Sequence, residues 1–152
     1  MQAEIVELQE RTILGIQARI NPMAADYGDL WGRQFEPHRM EIDPLAVEEG
    51  YYSAYFGTEE EGMADFVGGV VVAQGTEAPA GLVARPLGGG TYAKFACTMS
   101  TIGPTWGGIY GQWLPTSGYV EDESRPGIEY YPPGDQDSPD APVHVYIAVR
   151  PA

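Results

Sequence analysis

Between Thr12 and Ile20 the side chains alternate, with Leu14, Ile16, Ala18 and Ile20 on one parity. The same period of two returns at the far end of the chain, where Val143, Val145, Ile147 and Val149 alternate across Pro142 to Arg150. Alternation of this kind marks a strand with one buried face, so both segments are expected to be half-buried strands. Three further runs, Tyr51 to Phe56, Phe66 to Ala73 and Thr91 to Thr98, are rich in aromatic and β-branched residues and predict strands of their own. Shorter strand candidates are Glu4 to Leu8, Leu82 to Leu87 and Gly127 to Tyr131.

Two segments switch to helical spacing. From Ala25 onward, Tyr27, Leu30, Trp31 and Phe35 recur three and four residues apart, and Pro37 predicts an end or a kink. From Ser100 onward, Trp106, Ile109, Tyr110 and Trp113 do the same, with Ser100 or Thr101 as the expected N-cap and Pro115 as the stop. Gly103, Gly107, Gly108 and Gly111 weaken this second helix, since each costs about 0.5 to 1 kcal/mol relative to alanine. Packing has to hold it.

The resulting order is strand, strand, helix, strand, strand, a Thr76 to Ala80 linker, and the same series again. The fold class is α+β. The expectation is one domain over residues 1–152 with pseudo-repeats of about 1–76 and 80–152, each setting an aromatic-bearing helix over a four-stranded antiparallel sheet. A groove between such halves is a favoured place for a ligand.

Composition narrows the function. The chain has 152 residues, 43% of them hydrophobic, which suits a single core. A formal charge of -14, from 22 acidic against 8 basic side chains, argues against nucleic acid and anionic membranes and favours cationic partners. Glu4, Glu7 and Glu10 interrupt the N-terminus where a signal peptide needs an apolar core, and no apolar stretch approaches the ~20 residues of a membrane span, so a cytoplasmic setting is expected. The single cysteine, Cys97, reads as a small core residue.

Local motifs suggest little classical chemistry. Gly88, Gly89 and Gly90 lack the spacing of a phosphate loop and read as a hairpin turn. The Asp135 to Asp140 run lacks the glycine and distal glutamate of a calcium loop, and Glu59, Glu60 and Glu61 read as a solvated hairpin loop. His38, His144 and Cys97 do not form a zinc ligand set, and a Cys97–His144 nucleophilic pair has nothing to bring it together; no metal or cofactor is expected.

What stands out is Glu129, a lone carboxylate in the aromatic run Gly127 to Tyr131, among 10 tyrosines against 4 phenylalanines. A carboxylate taken out of water without a partner must shift its pKa or await a cation. Glu129 shares a parity with Tyr131, while His144 and Tyr146 lie opposite the valine stripe of the last strand; these are the two faces expected to meet at a cavity. Aromatic walls around one carboxylate suit a flat cation.

The runs Tyr51 to Phe56, Asp65, Phe66, Gly68 and Val70, then Gly90 to Phe95, Ile109, Tyr110, Trp113, Leu114 and Pro115, and finally Ile128, Glu129 and Tyr130, resemble the GyrI-like small-molecule binding domain, the effector-binding part of AraC-type and MerR-type multidrug regulators. The resemblance covers nearly the whole chain. It implies two pseudo-symmetric strand-helix-strand-strand modules forming a concave antiparallel sheet with two helices. It also implies that Glu129 contacts cationic lipophilic ligands, and that Tyr55, Tyr92, Trp113 and Tyr146, with Trp31 and Trp106 on the helices, line the cleft; the parity shared with Glu129 adds Tyr131 to the expected ligand-binding set. The chain begins at its first strand with no DNA-binding domain ahead of it, so a free-standing binding module is expected rather than a complete transcription factor. The family leaves two alternatives open: a hydrolase of strained electrophiles using Glu129 and Tyr92, and a modulator of a protein partner such as gyrase.

Overall fold

The leucine–isoleucine stripe of residues 14–20 and the valine stripe of residues 143–149 each need a covering layer, and each has one helix for it. The computed structural model describes residues 1–152. Its strands are β1 (Glu4–Leu8), β2 (Thr12–Ile20), β3 (Tyr51–Gly57), β4 (Ala64–Val72), β5 (Val83–Pro86), β6 (Gly90–Thr98), β7 (Tyr119–Glu121), β8 (Gly127–Tyr131) and β9 (Pro142–Pro151). They form one antiparallel sheet in the order β1-β6-β9-β8-β3-β4-β2-β5, with β7 joining β9 beside β8. Read outward from the central β3–β8 pair, the two flanks have the same pattern. The opening strands are exchanged, however: β1 lies beside β6 and β5 beside β2. Each four-stranded set is thus completed by the other half's first strand.

This exchange overturns the hairpin expected at Gly88 to Gly90. β5 is one end strand of the sheet and β6 lies next to the other, β1, so residues 87–89 cross from one flank to the other, as residues 9–11 do between β1 and β2. Links this short span the gap only because the sheet curls: Val6 and Leu8 of β1 and Val83 of β5 pack on the same cluster, around Ile13, Leu87 and Tyr92. At the crossing, a Cβ on Gly89 would lie 2.9 Å from the Glu10 nitrogen, so only glycine lets the two links pass.

Both helices lie on the other face. Segment α1 (residues 27–45) starts at the cap Asp26, whose carboxylate accepts from the Asp29 amide, and runs through wide π-type turns at Leu30–Phe35. Pro37 kinks α1 into a tight turn at Glu36–His38 without ending it, and helix resumes at Arg39–Ile42. Leu30, Phe35 and Ile42 bury against Leu14, Ile16, Phe66 and Val70. Segment α2 (residues 99–116) opens with a tight turn, Met99–Thr101, capped by Thr98 through a reciprocal capping box with Thr101, and Thr101, as expected, is the N-cap of the α-helical turns that follow. Its helical turns at Ile102–Gly108 widen at Ile109–Trp113 and tighten around Pro115 at Leu114–Thr116. Ile109 packs on Phe95, Val143, Val145 and Ile147. Cys97 is half-buried at the end of β6 rather than sealed in the core. No helix is long and apolar enough to cross a membrane.

Candidate functional site

Directly paired residues of neighbouring strands project from the same side of a sheet. One such row crosses the helix-covered face as Ile16, Gly68, Ser53, Glu129, Val145 and Phe95. Glu129 therefore stands near the middle of the sheet, between α1 and α2. Gly68, Ser53 and Gly127 beside it are small and leave a hollow. Indole rings fill the space: a Cβ on Gly127 would meet the Trp106 ring at 3.2 Å, and one on Gly68 would meet Trp31 at 3.1 Å.

Glu129 is only 3% exposed, yet it takes part in none of the protein's nine ion pairs. Its hydrogen-bond partners are all neutral aromatic donors. The Trp106 indole N–H reaches Oε2 at 2.7 Å, the Tyr55 hydroxyl reaches Oε1 at 3.2 Å, and the Tyr131 hydroxyl donates to Oε1 as well. Tyr131 is oriented in turn by the buried Ser53, whose hydroxyl lies 2.8 Å from the phenol. Trp31 packs edge-on against Tyr131, Tyr51 and Phe66, and Tyr55 packs edge-on against Phe66 and Trp106. Tyr27 stands beside Tyr55 and close enough to feel the charge of Glu129.

Burial pushes the Glu129 carboxyl above its ordinary range, and the bonds from Tyr131, Trp106 and Tyr55 pull it part of the way back. Burial and then the Glu129 charge lift Tyr55 and Tyr131 well above the usual phenol range, so both remain donors. The linkage has a definite sign. Below the ordinary carboxyl value of 4.5 both folded and unfolded chains hold the proton. Above it the folded state retains a proton that the unfolded state has lost, so Glu129 lowers stability as pH rises through its raised native value. Glu129→Gln, measured without ligand, is therefore expected to melt at a higher temperature than wild type at pH 7. The gap should close below about pH 4.5; an equal melting temperature at both pH values contradicts the assignment.

The structure brings together Glu129, Tyr55, Trp106, Tyr131 and Trp31 and sets three other candidates apart. Tyr92 is fully buried on the opposite face and donates to the carbonyls of Leu87 and Pro126. Tyr146 packs edge-on against Tyr92 on that same face. The reason is register: Glu129 pairs with Val145 and Ile128 with Tyr146, so the valine parity of β9, not the His144 and Tyr146 parity, accompanies the glutamate. Trp113 is on the correct face but packs on Phe95 and Tyr119, away from Glu129. Ser53, Tyr27, Phe66 and Gly68 also belong to the site; Tyr27 entered the sequence reading only through helical spacing and Phe66 and Gly68 only through a strand run and the family resemblance, and nothing local marks any of the four as a neighbour of Glu129. A surface cleft of about 430 Å³, lined by Arg11, Glu48, Val71 and Arg85 among others, shares no residue with it.

A family model for the GyrI-like small molecule binding domain matches residues 1–150. The chain belongs to this family. No curated protein sequence matches it significantly. Among solved structures, this GyrI-like domain is similar to SAV2435 bound to tetraphenylphosphonium, with TM-score 0.82 and 15% identity over 99% of this chain and 94% of that one. It is also similar to the EcmrR C-terminal domain, with TM-score 0.70 and 15% identity over 99% and 98% of the two chains. A hydrolase from Listeria innocua has TM-score 0.59 and 9% identity over 98% and 92%. At these identities the likeness concerns the GyrI-like fold.

Proposed function

We propose that this GyrI-like domain binds lipophilic aromatic cations in the cleft between α1 and α2, with Glu129 as counter-ion and Trp31, Tyr55, Trp106 and Tyr131 as stacking walls. The observation that carries the proposal is a carboxylate buried among aromatic rings with neutral donors and no basic partner. Burying such a charge costs several kcal/mol, a cost that a ligand cation offsets and that no arginine or lysine of the chain offsets. The tetraphenylphosphonium bound by SAV2435 has the matching chemistry. A ligand reaches Glu129 only if the rings above it part. Trp106, the half-buried ring that donates to Oε2, rides on the glycine-rich α2, whose low intrinsic helicity keeps the displacement inexpensive. Titration with tetraphenylphosphonium is expected to quench tryptophan fluorescence with a one-to-one endpoint. A flat titration up to millimolar ligand rules the proposal out.

A second reading is hydrolysis, favoured by the chain of hydroxyls from Ser53 through Tyr131 to Glu129. A carboxyl with a raised pKa takes a proton from water near neutrality, and a phenol beside it donates to a developing oxyanion. Tyr55 and Tyr131 occupy that position, and Tyr92 does not. Turnover of an electrophilic ester or strained ring, against simple stoichiometric binding, separates the two readings.

A further inference from the structure

We propose that Glu121 is a second anionic anchor of this cleft, so that the site selects elongated dications over monocations of similar bulk. The inference rests on the cation-binding reading of Glu129. β7 and β8 lie end to end along one flank of β9, with Glu121 opposite Val149 and Glu129 opposite Val145. Val145 and Val149 share a parity, so both carboxylates stand on the helix-covered face, separated by four residues of strand, or ~13 Å.

α2 bridges that interval. Trp106 and Tyr110 lie one helical turn apart, with rings stacked at 6.2 Å and an interplanar angle of 21°. The Trp106 N–H donates to Glu129 at 2.7 Å, and the Tyr110 hydroxyl donates to Glu121 at 3.0 Å. The same unit, an aromatic donor over a carboxylate, thus occurs twice in line. Glu121, like Glu129, is in none of the ion pairs. Burial raises its carboxyl, the bond from Tyr110 opposes the rise and the charge of Glu123 adds to it. Tyr110 is 47% exposed, so the line runs from the sealed Glu129 outward to solvent. A molecule with a cation at each end of a flat or apolar spacer fits this sequence of groups: ion pair, ring, ring, ion pair.

The test is a titration at pH 7.5 with bis(trimethylammonium)alkanes of increasing chain length, beside decyltrimethylammonium and tetraphenylphosphonium. Affinity is expected to peak at the chain length that spans the two carboxylates. At the peak it should exceed that of decyltrimethylammonium about tenfold, the size of one half-exposed ion pair with one cation–π contact. Glu121→Gln, which keeps an acceptor for Tyr110, should abolish the excess and leave both monocations unchanged. Equal affinity of dication and monocation for wild type overturns the proposal, as does a uniform loss for all three ligand types in the variant. If tetraphenylphosphonium itself does not bind wild type, the reading of Glu129 fails first and this one with it.

Discussion

Glu129→Gln is expected to weaken tetraphenylphosphonium binding about a hundredfold at pH 7, while affinity for neutral triphenylphosphine oxide stays the same or improves. Glutamine preserves the shape of the side chain and a carbonyl acceptor for Trp106, Tyr55 or Tyr131, so the walls of the cleft persist. What it removes is the charge. Deleting one member of a desolvated charge pair typically costs about 2–5 kcal/mol, because the remaining ion loses its partner in a poorly screened setting; a hundredfold change is about 2.8 kcal/mol. The neutral ligand separates charge from shape, since it depends on ring contacts alone. Calorimetric titration of both ligands against both proteins gives the four affinities. A cation affinity that glutamine leaves intact would remove Glu129 from the binding role and leave only aromatic stacking.

Gly15→Ala is expected to destabilise the fold by about 3 kcal/mol or more, a fall in Tm of about 10 °C for a chain of this length. Gly15 of β2 faces Gly69 of β4, and a Cβ built on Gly15 would lie 1.9 Å from the Gly68 carbonyl oxygen. A Cβ on Gly69 would lie 1.9 Å from the Leu14 oxygen, so the two strands approach backbone to backbone in both directions. No rotamer relieves a clash of Cβ with backbone; β2 and β4 must separate, and the row from Ile16 through Glu129 shifts with them. Gly32→Ala is the matched control, because nothing lies within 4 Å of its added methyl group, and it should be neutral or slightly stabilising. Urea denaturation of the two variants makes the comparison, and equal midpoints contradict the close approach.

The strands were legible where one parity is continuously apolar, even though the other face of β2 and β9 is not wholly wet as expected: Ile13 and Ala148 belong to a second core there, formed where the sheet curls on itself. The stripes at Leu14 to Ile20 and Val143 to Val149 each lie under a helix and could be read directly from their period. β7, three residues long, has no room for a period and passed unseen. Partnership was invisible for a different reason. Which strand lies beside which depends on long-range pairing, so the exchange of β1 and β5 left no local trace, and a crossing of glycines looked like a hairpin. Register had the same effect on the site. Glu129 was conspicuous as a carboxylate among aromatics, but Tyr55 and Tyr92 look alike in sequence, and only the pairing of Glu129 with Val145 and Ser53 decides which tyrosines join it. Ser53 and Gly68 contribute by being small, and smallness has a meaning only once the neighbours are known.

The exchanged strands also govern when the molecule can become itself. Glu4 pairs with Lys94 and Leu8 with Gly90, across more than half the chain, while Gly15 of the early strand β2 pairs with Val83 of β5. A chain emerging from the ribosome cannot complete the sheet of its first half until β5 has been made, and β1 waits longer still for β6. Loop closures of this span slow folding toward the millisecond-to-second range of nonlocal topologies. Neither half is a separable ancestor-like unit in the present-day fold: each lends its first strand to the other, and the cleft beneath Trp31 and Trp106 exists only after both loans are made.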